Sequence, residues 1–381
     1  MTTYQKIAPI ANQILKKYDL CDHCLGRLFS KKLHLSSNKL LGKKLKKNSK
    51  SNQRCYVCKN LFENLNHFLN MMLDSVSFYS YSTFSVGATI KPSIIDRDDT
   101  IRSKYKLKGI DGIKTDITKE LAKLFSKKTK KTFDYLDPEI VFTVNLKDES
   151  CDVRSKSLTL SGRYVKQVRD FSQKQKSCSN CSGKGCRICN FHGISEYDSV
   201  EGEISQFLFE KLGGTTAKFT WIGGEDKSSL VLGTGRPFFV KIQNPQKRKL
   251  RISSTKLDHV KVSNFKIVGD FPKKPLKFNS LVEAKISTSS KINSNLLQKL
   301  KNLTKNPIIV YEKSGKRSEK NIISIKYKKQ DDTSFTLIFK FEGGLPVKRF
   351  VTGDDVSPGI SQTLGISCKC IEFDFHDVDV K

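Results

Sequence analysis

Two adjacent carboxylates in a glycine-rich segment are the residues of this chain whose types and spacing most directly suggest chemistry. Glu225 and Asp226 follow Gly223 and Gly224 within the stretch Trp221-Ile-Gly-Gly-Glu-Asp-Lys-Ser-Ser-Leu-Val-Leu-Gly-Thr-Gly-Arg-Pro-Phe-Phe-Val-Lys-Ile242. Glycines let the backbone bend, so that one acid can point into a cleft. Neighbouring side chains of an extended segment diverge, which argues against a paired-carboxylate site. We therefore expect a single catalytic acid, Asp226.

Basic side chains close in sequence could keep Asp226 ionised. Lys227 follows it directly, and Arg236 lies in the Gly-x-Gly-Arg-Pro run further on. A nearby cation favours the charged form of a carboxyl group, and both residues are candidates for substrate binding. The competing interpretation is that Asp226 is a turn residue bonded to its own backbone, the usual role of Asp in such loops.

Short strands are predicted to position this loop. The first ends at Trp221-Ile222, the second runs to Leu232, and a tight turn at Gly233-Thr-Gly235 leads into a third strand, Phe238–Ile242. A helix with one apolar face, at 200–212, precedes them, and several more strands follow. The C-terminal region therefore predicts a mixed α/β domain on a mainly antiparallel sheet.

Cysteine spacing predicts two metal sites. Four Cys-x-x-Cys pairs occur, at Cys21/Cys24, Cys55/Cys58, Cys178/Cys181 and Cys186/Cys189. Two such pairs complete the tetrahedral shell of a structural zinc. The alternative for the first group is isolated thiols, and for the second it is a redox pair. His23 lies between the first two cysteines and could substitute as a ligand, although a solvated histidine is the more usual role.

The N-terminal part predicts helices followed by a small α/β unit. Strands are expected at 83–91, 139–145 and 157–163, with a strongly basic helix inside 111–131. The fold class is thus α/β in an α+β arrangement. We divide it into an N-terminal helix and zinc-binding module (1–59), an α/β domain ending in the second cysteine group (60–190), and a C-terminal catalytic domain (191–381).

The charge balance points to a polyanionic partner. Lys and Arg number 69 against 38 Asp and Glu, a formal net charge of +31 that is spread along the chain. Neutralising phosphates releases counterions, so RNA explains this surface, with an anionic membrane as the competing partner. The chain has no apolar run near the roughly 20 residues of a membrane span. It shows no export signal either, so we expect free or metal-bound thiols and a cytoplasmic location.

The motifs named above resemble those of the archaeal-type tRNA pseudouridine synthases that act on positions 54 and 55 of the T arm. Gly-Gly-Glu-Asp followed by Leu-Val-Leu-Gly-x-Gly-Arg-Pro-Phe resembles the family's catalytic motif, with Gly224 where many relatives have Arg. Cys-x-x-Cys-Leu-Gly-Arg and the second cysteine group resemble the family too. The strands and basic helix of 83–163 resemble a THUMP-type RNA-binding domain.

The resemblance implies roles for individual residues. It makes Asp226 the nucleophile and Lys348, in Gly343-Gly-Leu-Pro-Val-Lys-Arg-Phe350, the basic partner of that carboxylate. The family's tyrosine in this motif is replaced by Pro346, and no tyrosine stands near Val282. Tyr311 and Tyr327 are candidate lining residues, although strand tyrosines are more often half-buried packing.

The resemblance implies an isomerase that acts on tRNA at position 55, or also at 54. Nothing in the sequence indicates an obligate dimer or a protein partner, so we expect a monomer. No catalytic cofactor is expected, because Gly233-x-Gly235 lacks the third glycine of a dinucleotide loop and no Gly-Lys-Ser/Thr phosphate loop is present. Two alternatives stay open at this point. One is another THUMP-bearing tRNA-modifying enzyme, and the other is a noncatalytic zinc-containing RNA-binding protein.

Overall fold

The chain forms two compact units. The computed structural model describes residues 3–30, 33, 37–46, 54–108, 110–272, 274–312 and 315–380. Internal contacts divide the chain into Met1–Lys156 and Ser157–Lys381. The boundary thus follows Lys156 and not residue 190, and the contacts do not separate residues 1–59 from 60–156. The cause is the segment 158–166, which we expected in the same domain as the strand at 139–145 and which pairs with strands of the second unit.

The first unit combines helices with a four-stranded sheet. Its elements are α1 Thr3–Leu15, α2 Asp22–Ser30, α3 Asn38–Lys46, α4 Leu65–Ser75, β1 Thr83–Thr89, α5 Pro92–Lys104, α6 Ile113–Thr129, β2 Thr132–Phe133, β3 Ile140–Asn145 and β4 Ser150–Ser155. The strand order is β2-β1-β3-β4. Strand β1 runs parallel to β2 and β3, whereas β4 is antiparallel to β3.

Apolar periodicity builds the core of this unit. Helix α4 buries Phe68, Leu69 and Met72 on one face, as helical spacing requires. Strand β3 buries every second residue, including Ile140 and Phe142, and exposes the residues between them. The same two periods predicted these elements from the sequence.

The second unit holds a larger sheet. Its elements are β5 Leu158–Lys166, α7 Val200–Leu212, β6 Ala217–Trp221, β7 Val231–Ile242, β8 Ser254–Lys256, β9 Val260–Val268, β10 Phe278–Thr288, α8 Ser294–Gln298, β11 Ile308–Tyr311, β12 Arg317–Lys320, β13 Ile322–Lys329, β14 Ser334–Glu342, α9 Val347–Thr352, β15 Val356–Ser357, α10 Ile360–Leu364 and β16 Cys368–Val380. In the described part of the chain, no helix has both the length and the apolar character needed to cross a membrane.

Nine strands form the main sheet of the second unit, in the order β13-β14-β10-β16-β7-β5-β9-β8 with β6 added beside β7. The pairings are antiparallel except for the parallel contact between β7 and β16, where Phe375 faces Val231. Strands β12, β11 and β15 form a separate three-stranded sheet. The mixed α/β fold with a mainly antiparallel C-terminal sheet is therefore confirmed.

Strand β7 corrects one local prediction. We expected a turn at Gly233–Gly235 between two strands, whereas Val231–Ile242 is one continuous strand. Both glycines have positive φ, 57° and 80°. A Cβ atom at Gly233 would stand 2.1 Å from the His376 carbonyl oxygen, and one at Gly235 would stand 2.5 Å from that of Tyr164. The glycines therefore permit close backbone approach inside the sheet.

Helix α9 determines which way Lys348 points. Its buried residues are Val347, Phe350 and Val351, which lie on one face, and Gly353 ends the helix in the left-handed conformation. Lys348 follows the first buried position and lies outside that face. Its side chain is half-exposed.

Candidate active site

Asp226 and Lys348 form an ion pair in the second unit. Asp226 lies in the loop 222–230, which joins β6 to β7, and we call this loop the acid loop. Lys348 Nζ lies 2.7 Å from Asp226 Oδ2. Asp226 Oδ1 accepts hydrogen bonds from the Ser228 backbone N–H at 3.0 Å and the Ser228 hydroxyl at 2.7 Å. One carboxylate oxygen thus makes the turn contact that the competing interpretation requires, and the other meets a cation from a distant helix.

The surroundings of Asp226 keep it ionised. Partial burial by itself would raise the pKa of the carboxyl group, but the hydrogen bonds from Lys348 and Ser228 outweigh this effect and lower the pKa to about 2. The Asp226 side chain keeps 32% of its exposure, so an incoming group can reach it. The arrangement supplies an accessible, oriented anion at neutral pH.

Glu225 points the opposite way, and its side chain is completely buried. Its carboxylate accepts a hydrogen bond from the Tyr164 hydroxyl at 2.7 Å. Lys166 Nζ lies 3.1 Å from one carboxylate oxygen, and Arg236 Nε lies 3.5 Å from the other. The two adjacent acids therefore diverge, as the extended backbone predicted.

Arg236 pairs with Glu225 and not with Asp226. We expected it near Asp226 and the substrate, but its side chain is fully buried against Glu225. Its Nη1 donates a hydrogen bond to the Ile222 carbonyl at 2.9 Å, and its guanidinium stacks on the Phe375 ring at 4.2 Å. Arg236 supports the backbone of the acid loop, because the alternation of β7 turns it into the core, and it also lines the cleft beside this loop. Its role in substrate binding stays a prediction.

Among the described contacts, the side chains of the other three candidate substrate residues make no hydrogen bond or ion pair with Asp226. The Lys227 side chain is exposed and its carbonyl accepts a hydrogen bond from Lys166. Tyr311 is 45% exposed at the end of β11, and Tyr327 is half-buried on β13 at the edge of the main sheet. Among the described residues, neither tyrosine hydroxyl is hydrogen-bonded to Asp226 or Lys348. Their role in substrate binding stays a prediction.

Sequence reasoning missed two cations that hold the acid loop. Lys166 Nζ donates to the Phe171 carbonyl at 2.9 Å and to the Lys227 carbonyl at 3.2 Å. Arg169 Nη1 donates to the Ser228 carbonyl at 2.7 Å and pairs in bidentate fashion with Asp374 at 2.8 Å. A signal was present for Lys166, because it occupies an inward position in the period-2 pattern of β5, where an apolar residue is expected.

A cleft opens beside the acid loop. Its volume is about 550 Å³, within the range of small-molecule and nucleotide pockets. Gly223 and Gly224 line one side, Pro346 and Arg349 line another, and Phe278 contributes aromatic surface. A Cβ atom at Gly224 would meet nothing within 4 Å, so this part of the loop faces open space. The cleft can admit a planar base beside the loop that carries Asp226.

Each four-cysteine group is arranged as a metal site. The ligand sulfurs of Cys21, Cys24, Cys55 and Cys58 lie within 4.8 Å of one another, and so do those of Cys178, Cys181, Cys186 and Cys189. In the second group, the backbone N–H groups of Gly185 and Gly193 donate to cysteine sulfurs at 3.2 and 3.3 Å. His23 is not part of the first group and stacks on Phe62 at 4.6 Å between ring centroids. Both donor sets fit a tetrahedral S₄ zinc ion.

Comparisons with known proteins agree with this arrangement. Residues 159–379 match the family described as "Pus10, C-terminal", and residues 68–145 match "Pus10 THUMP domain, archaeal". The chain is 86% identical over 381 residues to "tRNA pseudouridine synthase Pus10" of Nitrosopumilus maritimus (strain SCM1), covering 100% of both chains. It is 35% identical over 366 residues to the protein of the same name from Cenarchaeum symbiosum (strain A), covering 96% of this chain and 90% of the relative.

Among solved structures, the chain is similar to one described as "Crystal Structure of a Cbf5-Nop10-Gar1 Complex". The TM-score is 0.31 at 11% identity, over 56% of this chain and 47% of the other. A likeness this low adds nothing to the assignment. The family matches agree with the division into two units, because the THUMP match lies inside the first unit and the C-terminal match lies inside the second.

Proposed function

Since this chain belongs to the Pus10 family of tRNA pseudouridine synthases, which are isomerases, we propose that it converts a uridine in the T arm of tRNA to pseudouridine with Asp226 as the nucleophile. The observation that carries this proposal is the ion pair between Asp226, in the acid loop that follows Gly223 and Gly224, and Lys348. It joins a loop residue to a helix residue far away in sequence, which a simple turn does not need.

The chemistry requires a positioned anion and no redox step. The target uridine leaves its stack and enters the cleft, because its reacting atoms are inaccessible within folded RNA. The bond between N1 and C1′ breaks, the uracil turns, and a bond between C5 and C1′ forms while the C5 proton is lost and N1 gains one. Asp226 adds to the nucleoside and leaves again, and Lys348 keeps its carboxylate ionised and oriented.

We propose position 55 as the target. The resembling family has tyrosines in the motif around Lys348 and in the strand near Val282, and the residue in the first place here is Pro346. Aromatic residues at these places would stack on a base, and their absence disfavours the second target, position 54.

The remaining parts of the chain suit a tRNA-binding protein of the cytoplasm. The THUMP region with its basic helix α6 and the net charge of +31 favour contacts to phosphates. Structural zinc in the two cysteine groups would brace the fold. We take the monomer as the working unit, because one chain supplies Asp226, Lys348 and the cations under the acid loop.

The test is a chemical map of pseudouridine in an unmodified tRNA transcript after incubation with the purified protein. The wild type is expected to give pseudouridine at position 55, and Asp226→Ala is expected to lower the rate on the order of 10⁴-fold or more, as for the loss of other nucleophiles. Asp258→Ala, which removes an exposed acid elsewhere in the second unit, serves as the matched control.

Three outcomes separate the candidate functions. Product from the wild type and the control, but not from Asp226→Ala, supports the proposal. Equal product from Asp226→Ala excludes the nucleophile role. Tight tRNA binding without product from any variant would favour the noncatalytic RNA-binding protein.

A further inference from the structure

We propose that Glu225 is a positioning residue: anchored between Lys166 and Arg236, it fixes the backbone of the acid loop so that Asp226 emerges facing Lys348. This inference rests on the proposed function of Asp226 and adds a residue that does not touch the substrate. It concerns a fully buried cluster of one anion and two cations, which we call the buried clamp and define as Glu225, Lys166 and Arg236.

The buried clamp holds the acid loop on both sides of Asp226. Before it in sequence, Arg236 Nη1 bonds to the Ile222 carbonyl at 2.9 Å. After it, Lys166 Nζ bonds to the Lys227 carbonyl at 3.2 Å. Fixing the backbone at both places limits the movement of the segment between residues 222 and 227, which carries Asp226.

The negative charge of Glu225 offsets the free-energy cost of burying two cations. Lys166 and Arg236 both have 0% exposure, and two buried cations without an anion would repel each other and lose their hydration. The carboxylate of Glu225 lies 3.1 Å from one and 3.5 Å from the other. The Tyr164 hydroxyl also donates to Glu225 at 2.7 Å, so the anion itself is held in place.

Because Glu225 and Asp226 are adjacent, anchoring the Glu225 side chain also sets the direction in which the Asp226 side chain points. Successive side chains of an extended segment point to opposite sides. When Glu225 is pulled inward by the two cations, its neighbour Asp226 must point outward. Asp226 then reaches Lys348, and its side chain keeps 32% exposure, whereas that of Glu225 has none.

The first experiment compares Glu225→Gln with the wild type in single-turnover reactions at saturating enzyme, together with tRNA binding and thermal unfolding. The amide keeps the shape of the side chain but removes its charge. We expect the rate constant for pseudouridine formation to fall on the order of 10- to 100-fold, because small displacements of a reacting group cost about this much. The dissociation constant for tRNA is expected to change less than about twofold. Glu210→Gln, an acid-to-amide change at an exposed position of α7, is the matched control and keeps the wild-type rate.

A double-variant cycle separates positioning from packing. If Lys166 and Glu225 act as one unit, Lys166→Met and the double variant Lys166→Met/Glu225→Gln are expected to have nearly the same rate constant. Independent packing roles would instead give losses that multiply. Should Glu225→Gln fail to fold, Tyr164→Phe removes one hydrogen bond to the carboxylate without changing the charges, and a rate reduction of about 3- to 10-fold is expected.

The outcomes distinguish this inference from the proposed function. A folded Glu225→Gln variant with the wild-type rate, or one that loses tRNA binding while its rate at saturation is unchanged, would overturn the positioning role. In the second case Glu225 would matter only for binding. If the wild type itself forms no pseudouridine, or Asp226→Ala is as active as the wild type, the proposed function fails first.

Discussion

The two units contain the same kinds of buried polar group and use them differently. Each has a four-cysteine group and a buried ion pair. In the first unit, Arg27 and Asp98 pair with side chains that are only 2% exposed, and Arg27 also bonds to the Asp111 carbonyl at 2.9 Å. Asp98 further accepts the Ile113 backbone N–H at 3.2 Å, which ties α5 to the start of α6.

In the second unit the buried charges hold the acid loop. This loop carries the proposed nucleophile, Asp226, directly after the buried Glu225. Lys166 and Arg236, which pair with Glu225, hold carbonyls of the acid loop. The exposed acid next to Asp98 is Asp99, which pairs with Arg102 of its own helix at 3.1 Å. The comparison shows that a buried ion pair can have different roles. If the pair holds only structural elements, its loss is expected to lower the stability of the fold; if it holds a catalytic loop, its loss is expected to lower the reaction rate as well.

The two four-cysteine groups also differ in how deeply they are buried and in which segments they join. In the first unit Cys24, Cys55 and Cys58 are buried and belong to its core. The second group lies outside the core cluster of its unit. Its Cys178 and Cys189 are buried, but Cys181 and Cys186 are partly exposed, and Ile188 at 71% and Phe191 at 52% exposure lie beside the ligands. The first site therefore joins segments distant in sequence, and the second closes a short local loop.

The largest expected effect separates the two metal sites. Each of Cys58→Ser and Cys186→Ser is expected to lower the zinc content from two ions to one per chain, if both groups hold zinc as proposed. Structural zinc contributes directly to folding, with binding free energies of about 10–16 kcal/mol in isolated zinc-finger peptides. Cys58→Ser should therefore lower the midpoint of thermal unfolding strongly, whereas Cys186→Ser should lower it slightly. Zinc analysis with calorimetry checks this, and equal losses of stability would contradict the contrast between a core site and a surface site.

The second effect tests the buried pair of the first unit. Asp98→Asn leaves Arg27 as an uncompensated buried cation, which typically costs about 3–5 kcal/mol of unfolding free energy. Because Asp98 holds helices and no part of the acid loop, the rate constant of the folded variant at saturating enzyme is expected to equal that of the wild type. Denaturant unfolding and single-turnover kinetics measure the two quantities. A lowered rate constant in a fully folded Asp98→Asn protein would remove the distinction from Glu225→Gln.

The smallest effect concerns Lys348 and the pH dependence of the reaction. Lys348→Met removes a half-exposed, charge-assisted hydrogen bond and is expected to lower the rate at pH 7 about 3- to 10-fold. The pKa of Asp226 should rise from about 2 towards the ordinary aspartate value of about 3.9.

The sign of the pH effect follows from which form reacts. Only ionised Asp226 is a nucleophile, so activity is lost as the pH falls through its pKa. The variant should therefore lose about half its rate between pH 7 and pH 4, while the wild type changes little over this range. Rates measured from pH 4 to 8 on folded protein check this. Parallel profiles for the two proteins would show that Lys348 does not set the ionisation of Asp226.

Local patterns in the sequence were enough for much of the fold. Helix 200–212 and strand 308–311 were predicted with the bounds that the structure has, because their apolar residues follow one period over their whole length. The cysteine spacing predicted which thiols come together. The sequence did not determine which sheet the strand 158–166 joins, since its apolar pattern is the same in either sheet.

The chain's charge, its two four-cysteine groups and the divergence of Glu225 from Asp226 were determined by the sequence itself, because each follows from residue type, short spacing or the alternation of an extended backbone. Only the tertiary structure decided which cation meets which acid. Lys348 reaches Asp226 from a distant helix, and Arg236, close in sequence, turns into the core towards Glu225. Electrostatic partners depend on distance through space, and strand pairing sets that distance without regard to separation along the chain.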